Sequence, residues 1–378
     1  MARARQRWLP ALLIPLALAV AVLFGSVQAG ATVSLPPKSA DEVLAMIART
    51  EVRALSGTVE QASELGLPEV PAVGPGIAPG TASALELLTG SHTARVYVDG
   101  PFKARVQILD PMAERDLVVN GGDAWFYNSA DNSATHLSVP VPSRAELRES
   151  LPSASPRPDM PTPEAMAKRF LAAIDATTEV TVGGSSSVAG RSAYRLSLNP
   201  RSAETLVDTV DIDVDAETGL PLGVQVRANG QDEPAYSLAF TELNLSTPDA
   251  GLFNFTPPPG ATVTEKALPA KPVPSMPAPE PDSAVPGPDA TPEAFGQADP
   301  KQHGATVSGE GWGAVVALPA GSAPAELMSS PQLAQMLQPV SGGRALTSSL
   351  LSVLILDDGR IFVGMVPLDR LQSAAAAQ

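Results

Sequence analysis

The run Asp211-Ile212-Asp213-Val214-Asp215 carries three carboxylates at alternate positions, and D-x-D-x-D is how calcium loops open. Such a loop needs glycine directly after the third ligand for its sharp turn, and Ala216 stands there instead. Ile212 and Val214 interleave with the aspartates, so the stretch reads as a strand whose carboxylates line a solvated face. Ser185-Ser186-Ser187 has no nearby His and no G-x-S-x-G frame, so it offers no nucleophile elbow. Gly183-Gly184 reads as a turn pair and not as a phosphate cradle. His92, His136 and His303 are scattered, and the first two fall beside strand ends, where solvated histidines are common. The chain has no cysteine, which excludes thiol chemistry, disulfides and cysteine-based metal sites. No nucleophile and base fall together, so the expectation is a protein that is not an enzyme and needs no metal or cofactor.

What the chain does offer is apolar surface. Aromatic residues make up 4% of it, yet Trp125, Phe126 and Tyr127 stand side by side between two turn signals.

The ends and the charge limit the partners. Arg3, Arg5 and Arg7 precede an apolar run from Leu9 to Phe24, and Val27-Gln28-Ala29 offers a small-residue cleavage site. Residues 1–29 therefore read as a secretory signal peptide, or as an uncleaved N-terminal anchor, which places the protein outside the cytoplasm. The formal charge is −15, and loss of the three leader arginines leaves 40 acids against 22 bases, or −18. That surface repels nucleic acid and anionic headgroups, so contact with lipid is expected to be apolar.

The elements follow from periodicity. Ser39-Ala40-Asp41-Glu42 is a capping box, opening an amphipathic helix on Val43, Leu44 and Ile47 that runs to about Arg53. Strands with one apolar and one polar face come next. Ala94, Val96 and Val98 alternate with polar neighbours, as do Ala104, Val106 and Ile108, and Ala124–Asn128 pairs back across Asn120-Gly121-Gly122-Asp123. Thr162 and Pro163 start a second helix on Met166, Phe170 and Ile174. Further strands carry Tyr194, Leu196 and Leu198; Val210, Ile212 and Val214; Leu222, Val224 and Val226; and the stretch 235–245 with Leu238 and Phe240. The expected fold is α+β and mainly antiparallel: a sheet of about ten strands with two helices over residues 38–264. Ten prolines between 268 and 300 mark residues 265–300 as an extended linker, and 301–378 as a small C-terminal α+β module.

The order of three motifs resembles the LolA/RseB-like superfamily of prokaryotic lipoprotein carriers, in its actinobacterial LolA type. SGTVEQ and RVYVDGPFKARVQI lead into Gly122-Asp123-Ala124-Trp125-Phe126-Tyr127, at the place of the family's "DG-x-x-x-W-x-Y" hairpin. Residues 213–222, DVDAETGLPL, are similar to its "D-x-x-T-G-L-P-L" hairpin, and Phe253-Asn254-Phe255-Thr256-Pro257-Pro258 to its closing stretch. The resemblance implies an unclosed, curved half-barrel lidded by helices around an apolar cavity. LolA-type carriers place an arginine before the proline that ends the second strand; Gly100 stands there, so lid control by that arginine does not carry over.

What the resemblance implies is an extracytoplasmic carrier that binds the acyl chain of a lipid or lipoprotein. The expected wall is Val96, Val98, Val106, Ile108, Trp125, Tyr127, Leu196, Leu198, Ile212, Val214, Val224, Val226, Leu238 and Phe240. A cavity wall and a packed core share this sequence pattern. Residues 352–354, 358–360 and 363–367 also resemble the last hairpin and helix of RseB-like stress sensors. That implies the alternative, a regulator whose C-terminal module binds a membrane-bound anti-sigma factor.

Overall fold

In a computed structural model of the chain, the described residues are 35–67, 90–110, 113–138, 162–163, 171, 174, 177–267, 305–322 and 336–377. The leader, most of the expected second helix and the linker from residue 268 onward lie outside them, whereas residues 265–267, expected to open the linker, form the end of a strand. Among the described residues no helix is long and apolar enough to cross a membrane.

The first helix, α1 (Ala40–Ala48), starts as its capping box requires. Glu42 N–H donates to Ser39 Oγ, and the Glu42 carboxylate accepts from Ser39 N–H at 2.7 Å. It ends at Ala48, short of the expected Arg53.

Twelve strands form the large sheet. They are β1 (Ala54–Ser63), β2 (Gly90–Asp99), β3 (Lys103–Asp110), β4 (Ala113–Asn120), β5 (Asp123–Asn128) and β6 (Ser133–Ser138), then β7 (Thr178–Val188), β8 (Arg191–Pro200), β9 (Val207–Asp215), β10 (Pro221–Ala228), β11 (Pro234–Asn244) and β12 (Thr262–Ala267). Their spatial order is β12-β6-β5-β4-β3-β2-β1-β11-β10-β9-β8-β7. Two antiparallel meanders thus meet where β11 pairs β1, and β12 adds to β6 in parallel, the one departure from the expected antiparallel pattern. Gly183-Gly184 is not a turn: it lies inside β7, where the register shifts between Val182 and Ser185.

The sheet is open but strongly curled. Four strand spacings separate β7 from β11, about 19 Å in a flat sheet, yet Cα atoms of the two strands come within 8 Å. Irregularities at Thr58/Val59, Val182/Ser185 and Val226/Arg227 supply the bends that let strands coil this far.

The C-terminal module has its own sheet of β13 (Thr306–Ser308), β14 (Val315–Leu318), β15 (Gln338–Val340), β16 (Gly343–Thr347), β17 (Ser352–Leu356) and β18 (Ile361–Gly364), followed by helix α2 (Leu368–Ala376). A 3-10 turn over Gly311–Gly313 precedes β14 and buries the indole of Trp312. The module is docked on the large sheet. Met365 C=O accepts from Thr205 Oγ1 and from Leu206 N–H, and Leu65 C=O accepts from Ser349 N–H.

Candidate functional site

Strand pairing sorts the expected wall residues by face. Leu196 pairs Ile212, Ile212 pairs Val224 and Val224 pairs Leu238, so these share one face of the sheet. Val59 pairs both Phe240 and Ala94, and Val96 pairs Val106, carrying the same face across β1 into β3. Helix α1 lies on this face: Val43 and Ile47 cluster with Tyr194, Leu196, Leu198, Val210, Ile212, Val214, Val224 and Val226. It is the helix face.

On β8–β10 this face is a filled core. Leu196, Leu198, Ile212, Val214 and Val224 expose 0% of their surface, so no water-sized hollow adjoins them, and Val226 is buried with them. Trp312 of the C-terminal module completes the cluster from its far end. Val96, Val106, Leu238 and Phe240 are likewise buried, packed on Leu55, Val59 and Leu222. These ten expected wall residues serve as core because α1, Trp312 and the curl of the sheet bring apolar partners onto them.

Trp125 and Tyr127 lie on the opposite, outer face. Val106 pairs Leu117, and Leu117 pairs Phe126, so Phe126 is the aromatic of the triplet that shares a face with Val96 and Val106. Its two neighbours must point the other way, because side chains alternate along a strand. They have a packing role there. The segment 249–255 crosses the back of β3–β5, placing Phe253 in a buried position and Phe255 against both rings, at 5.4 Å from Trp125 and 5.7 Å from Tyr127. Arg105 donates to Leu252 C=O and clasps Asp116 with two bonds, 3.0 and 2.6 Å long. Burial pushes the Asp116 carboxyl upward, against the pull of Arg105.

What remains on the helix face is a strip over β2–β6. Val98 and Ile108 from the expected wall are half-buried, and register adds Ala104, Leu117, Val119, Ala124, Phe126 and Leu137. Phe126 is 36% exposed, a large apolar ring in contact with solvent. Leu117 and Val119 were legible as alternating residues of the strand before the Asn120-Gly121 turn. Phe126, and not its two neighbours, joins this strip because side chains alternate along β5.

The outer face of β8–β10 corrects the reading of the aspartates. Asp211, Asp213 and Asp215 expose 3%, 3% and 0%, so they are not solvated. Each meets an arginine: Arg227 with Asp211 at 2.9 Å, Arg195 with Asp213 at 3.0 Å, and Arg191 with Asp215. Burial raises the Asp215 carboxyl, but bonds from Arg191 and from the N–H groups of Thr218 and Glu217 outweigh it, and the net shift is downward. Ser186 Oγ donates to Asp213 at 2.6 Å, which ties up the middle serine of the triplet. Cationic partners on all three carboxylates leave this ladder no need of a metal, and among the described residues no group of three metal-ligating side chains converges.

The motif order and the open, curled sheet under a capped helix now stand together. The chain has matches among solved structures at low sequence identity. It is similar to a chain of the solved MucA/MucB complex of Pseudomonas aeruginosa, at 16% identity over 89% of this chain and 96% of that one, with a TM-score of 0.42. The LolA superfamily protein NE2245 from Nitrosomonas europaea is 12% identical over 58% of this chain and 99% of its own, with a TM-score of 0.22. An uncharacterised conserved protein from Thermus thermophilus is 14% identical over 60% and 99%, with a TM-score of 0.34. No protein-family model matches the chain, and no curated protein does. On burial and register alone, the half-exposed strip over β2–β6 is the candidate ligand surface.

Proposed function

We propose that this chain is an extracytoplasmic carrier that holds the acyl chain of a lipid or lipoprotein on the helix-face strip of β2–β6. Phe126 carries the reading: it stands in solvent at the centre of an apolar strip formed with Val98, Ile108, Leu117 and Val119. Each covered methylene contributes about 0.8 kcal/mol, so about ten of them match micromolar binding with no charged anchor. That suits a net-negative protein, which gains nothing from anionic headgroups. Binding needs neither a nucleophile nor a cofactor.

The test is native extraction followed by lipid mass spectrometry, with a fluorescent fatty acid titrated into the delipidated protein. Copurified acyl lipid and saturable probe binding support the reading. A lipid-free protein that ignores the probe ends it.

A second reading has one observation in its favour. Strand β13 is an edge of the small sheet, with Val307 51% exposed, and an edge strand can accept a partner's strand. A membrane-bound anti-sigma ectodomain captured by the full chain, and lost on deleting residues 301–378, supports this regulator role.

A further inference from the structure

His136 on β6 has a carboxylate at each ring nitrogen. Nδ1 lies 2.7 Å from Glu265 Oε2 on β12, and Nε2 lies 3.0 Å from Asp123 Oδ1 on β5. The imidazole stacks on Trp125 with ring centroids 4.2 Å apart and planes within 10°. A neutral imidazole has one N–H and one lone pair, so either tautomer aims a lone pair at a carboxylate. Only the imidazolium donates to both, and the indole face beneath adds cation–π attraction. Asp123 from β5 and Glu265 from β12 are the charged groups that face the ring. The 249–255 segment brings the Phe255 ring to 5.4 Å from Trp125, and β4 places Val118 opposite Trp125. Lys266 follows Glu265 on β12 and alternates to the other side of that strand.

β12 is the strand this arrangement grips. Among the described residues it is an edge strand of the large sheet, paired with β6 alone and in parallel over six residues. Its residues 262–266 are solvent-exposed, with Val263 at 44%. An exposed parallel ladder of that length is weakly held, so a side-chain link into the sheet carries a large share of its attachment.

We propose that β12 is a pH-set latch: doubly protonated His136 clamps it to the sheet through Glu265, and loss of that proton lets it go and bares the edge of β6. Burial acts against the charged ring, but the bonds to Glu265 and Asp123 prevail and raise its pKa above the ordinary 6.5. With the folded value raised, the latch is complete below the ordinary value and is lost as pH rises through the folded one. A released edge strand exposes unpaired backbone N–H and C=O groups, so the latch sets when this end of the sheet can pair with another strand.

The test uses the full chain, following amide exchange of residues 262–267 against pH after correction for intrinsic rates, together with NMR titration of the His136 ring. Protection of β12 is expected to fall about tenfold as the ring deprotonates, the loss of one charge-assisted hydrogen bond. Glu265 is exposed on an edge strand, so Glu265→Gln keeps the fold; it is expected to lower the His136 titration midpoint and flatten the pH dependence. Protection that does not vary with pH, or an identical midpoint in wild type and Glu265→Gln, overturns the proposal.

Discussion

Trp312 donates its indole N–H to Thr178 Oγ1 across 2.8 Å, joining the small C-terminal sheet to the first residue of β7. The indole is 3% exposed and packs in one cluster with Val43, Leu198 and Val210. The module is thus part of the large domain's core, not a free appendage.

Trp312→Ala should therefore cost about 3–5 kcal/mol, as for a buried tryptophan, and separate the unfolding of the two sheets. Trp312→Phe keeps most of the packing and loses the hydrogen bond, costing about 1 kcal/mol from that bond. Denaturant unfolding of the full chain checks both values. Equal, small losses would show that the indole does not hold the two sheets together.

Neighbouring aromatics should separate by face. Phe126→Asp is expected to weaken fatty-acid probe binding by tenfold or more while the melting temperature stays within a few degrees, because the ring is already in solvent. Trp125→Ala removes the platform under His136 and Phe255, and should destabilise by about 2–3 kcal/mol with probe affinity kept. A probe titration beside a thermal melt distinguishes them. The reverse assignment would place the ligand on the outer face.

The aspartate ladder should respond to loss of its cations. Arg195→Leu leaves Asp213 buried without its ion-pair partner and should cost about 3–5 kcal/mol, whereas Arg195→Leu with Asp213→Leu should come close to wild type. Urea unfolding of the two variants measures this. In acid, Asp215 has its own signature. Its folded carboxyl lies below the unfolded 3.8, so its contribution is present above that value and disappears as pH falls through the lower folded one. Arg191→Ala should flatten that acid limb of the stability curve.

Gly219 in the 215–220 turn has φ +73°, and an added Cβ would sit 2.3 Å from Met46 O on α1. Gly219→Ala combines left-handed strain with a backbone collision, so a loss of about 2–4 kcal/mol is expected. Amide exchange in 40–48 should rise most, since the collision pushes α1 away from the sheet.

Much of this protein is readable from local chemistry. Ser39 and Glu42 define where α1 starts, because a capping box closes within four residues. The alternation of Leu196, Ile212 and Val224 defines strands and tells which residues share a face, because the pleat repeats every two positions. Counted strictly, that same alternation separates Phe126 from Trp125 and Tyr127. What the chain order could not say is what covers each face. Whether Leu196 lines a hollow or a filled core depends on α1 and on Trp312, the latter more than a hundred residues away. Whether Asp213 meets water depends on Arg195 across the β8–β9 register. Trp125 became a support for Phe255 and His136 only because the segment after β11 crosses the back of the sheet. Periodicity is a property of neighbours in sequence, whereas burial belongs to pairs brought together by long-range folding, and that is where this chain separates its core from its candidate ligand strip.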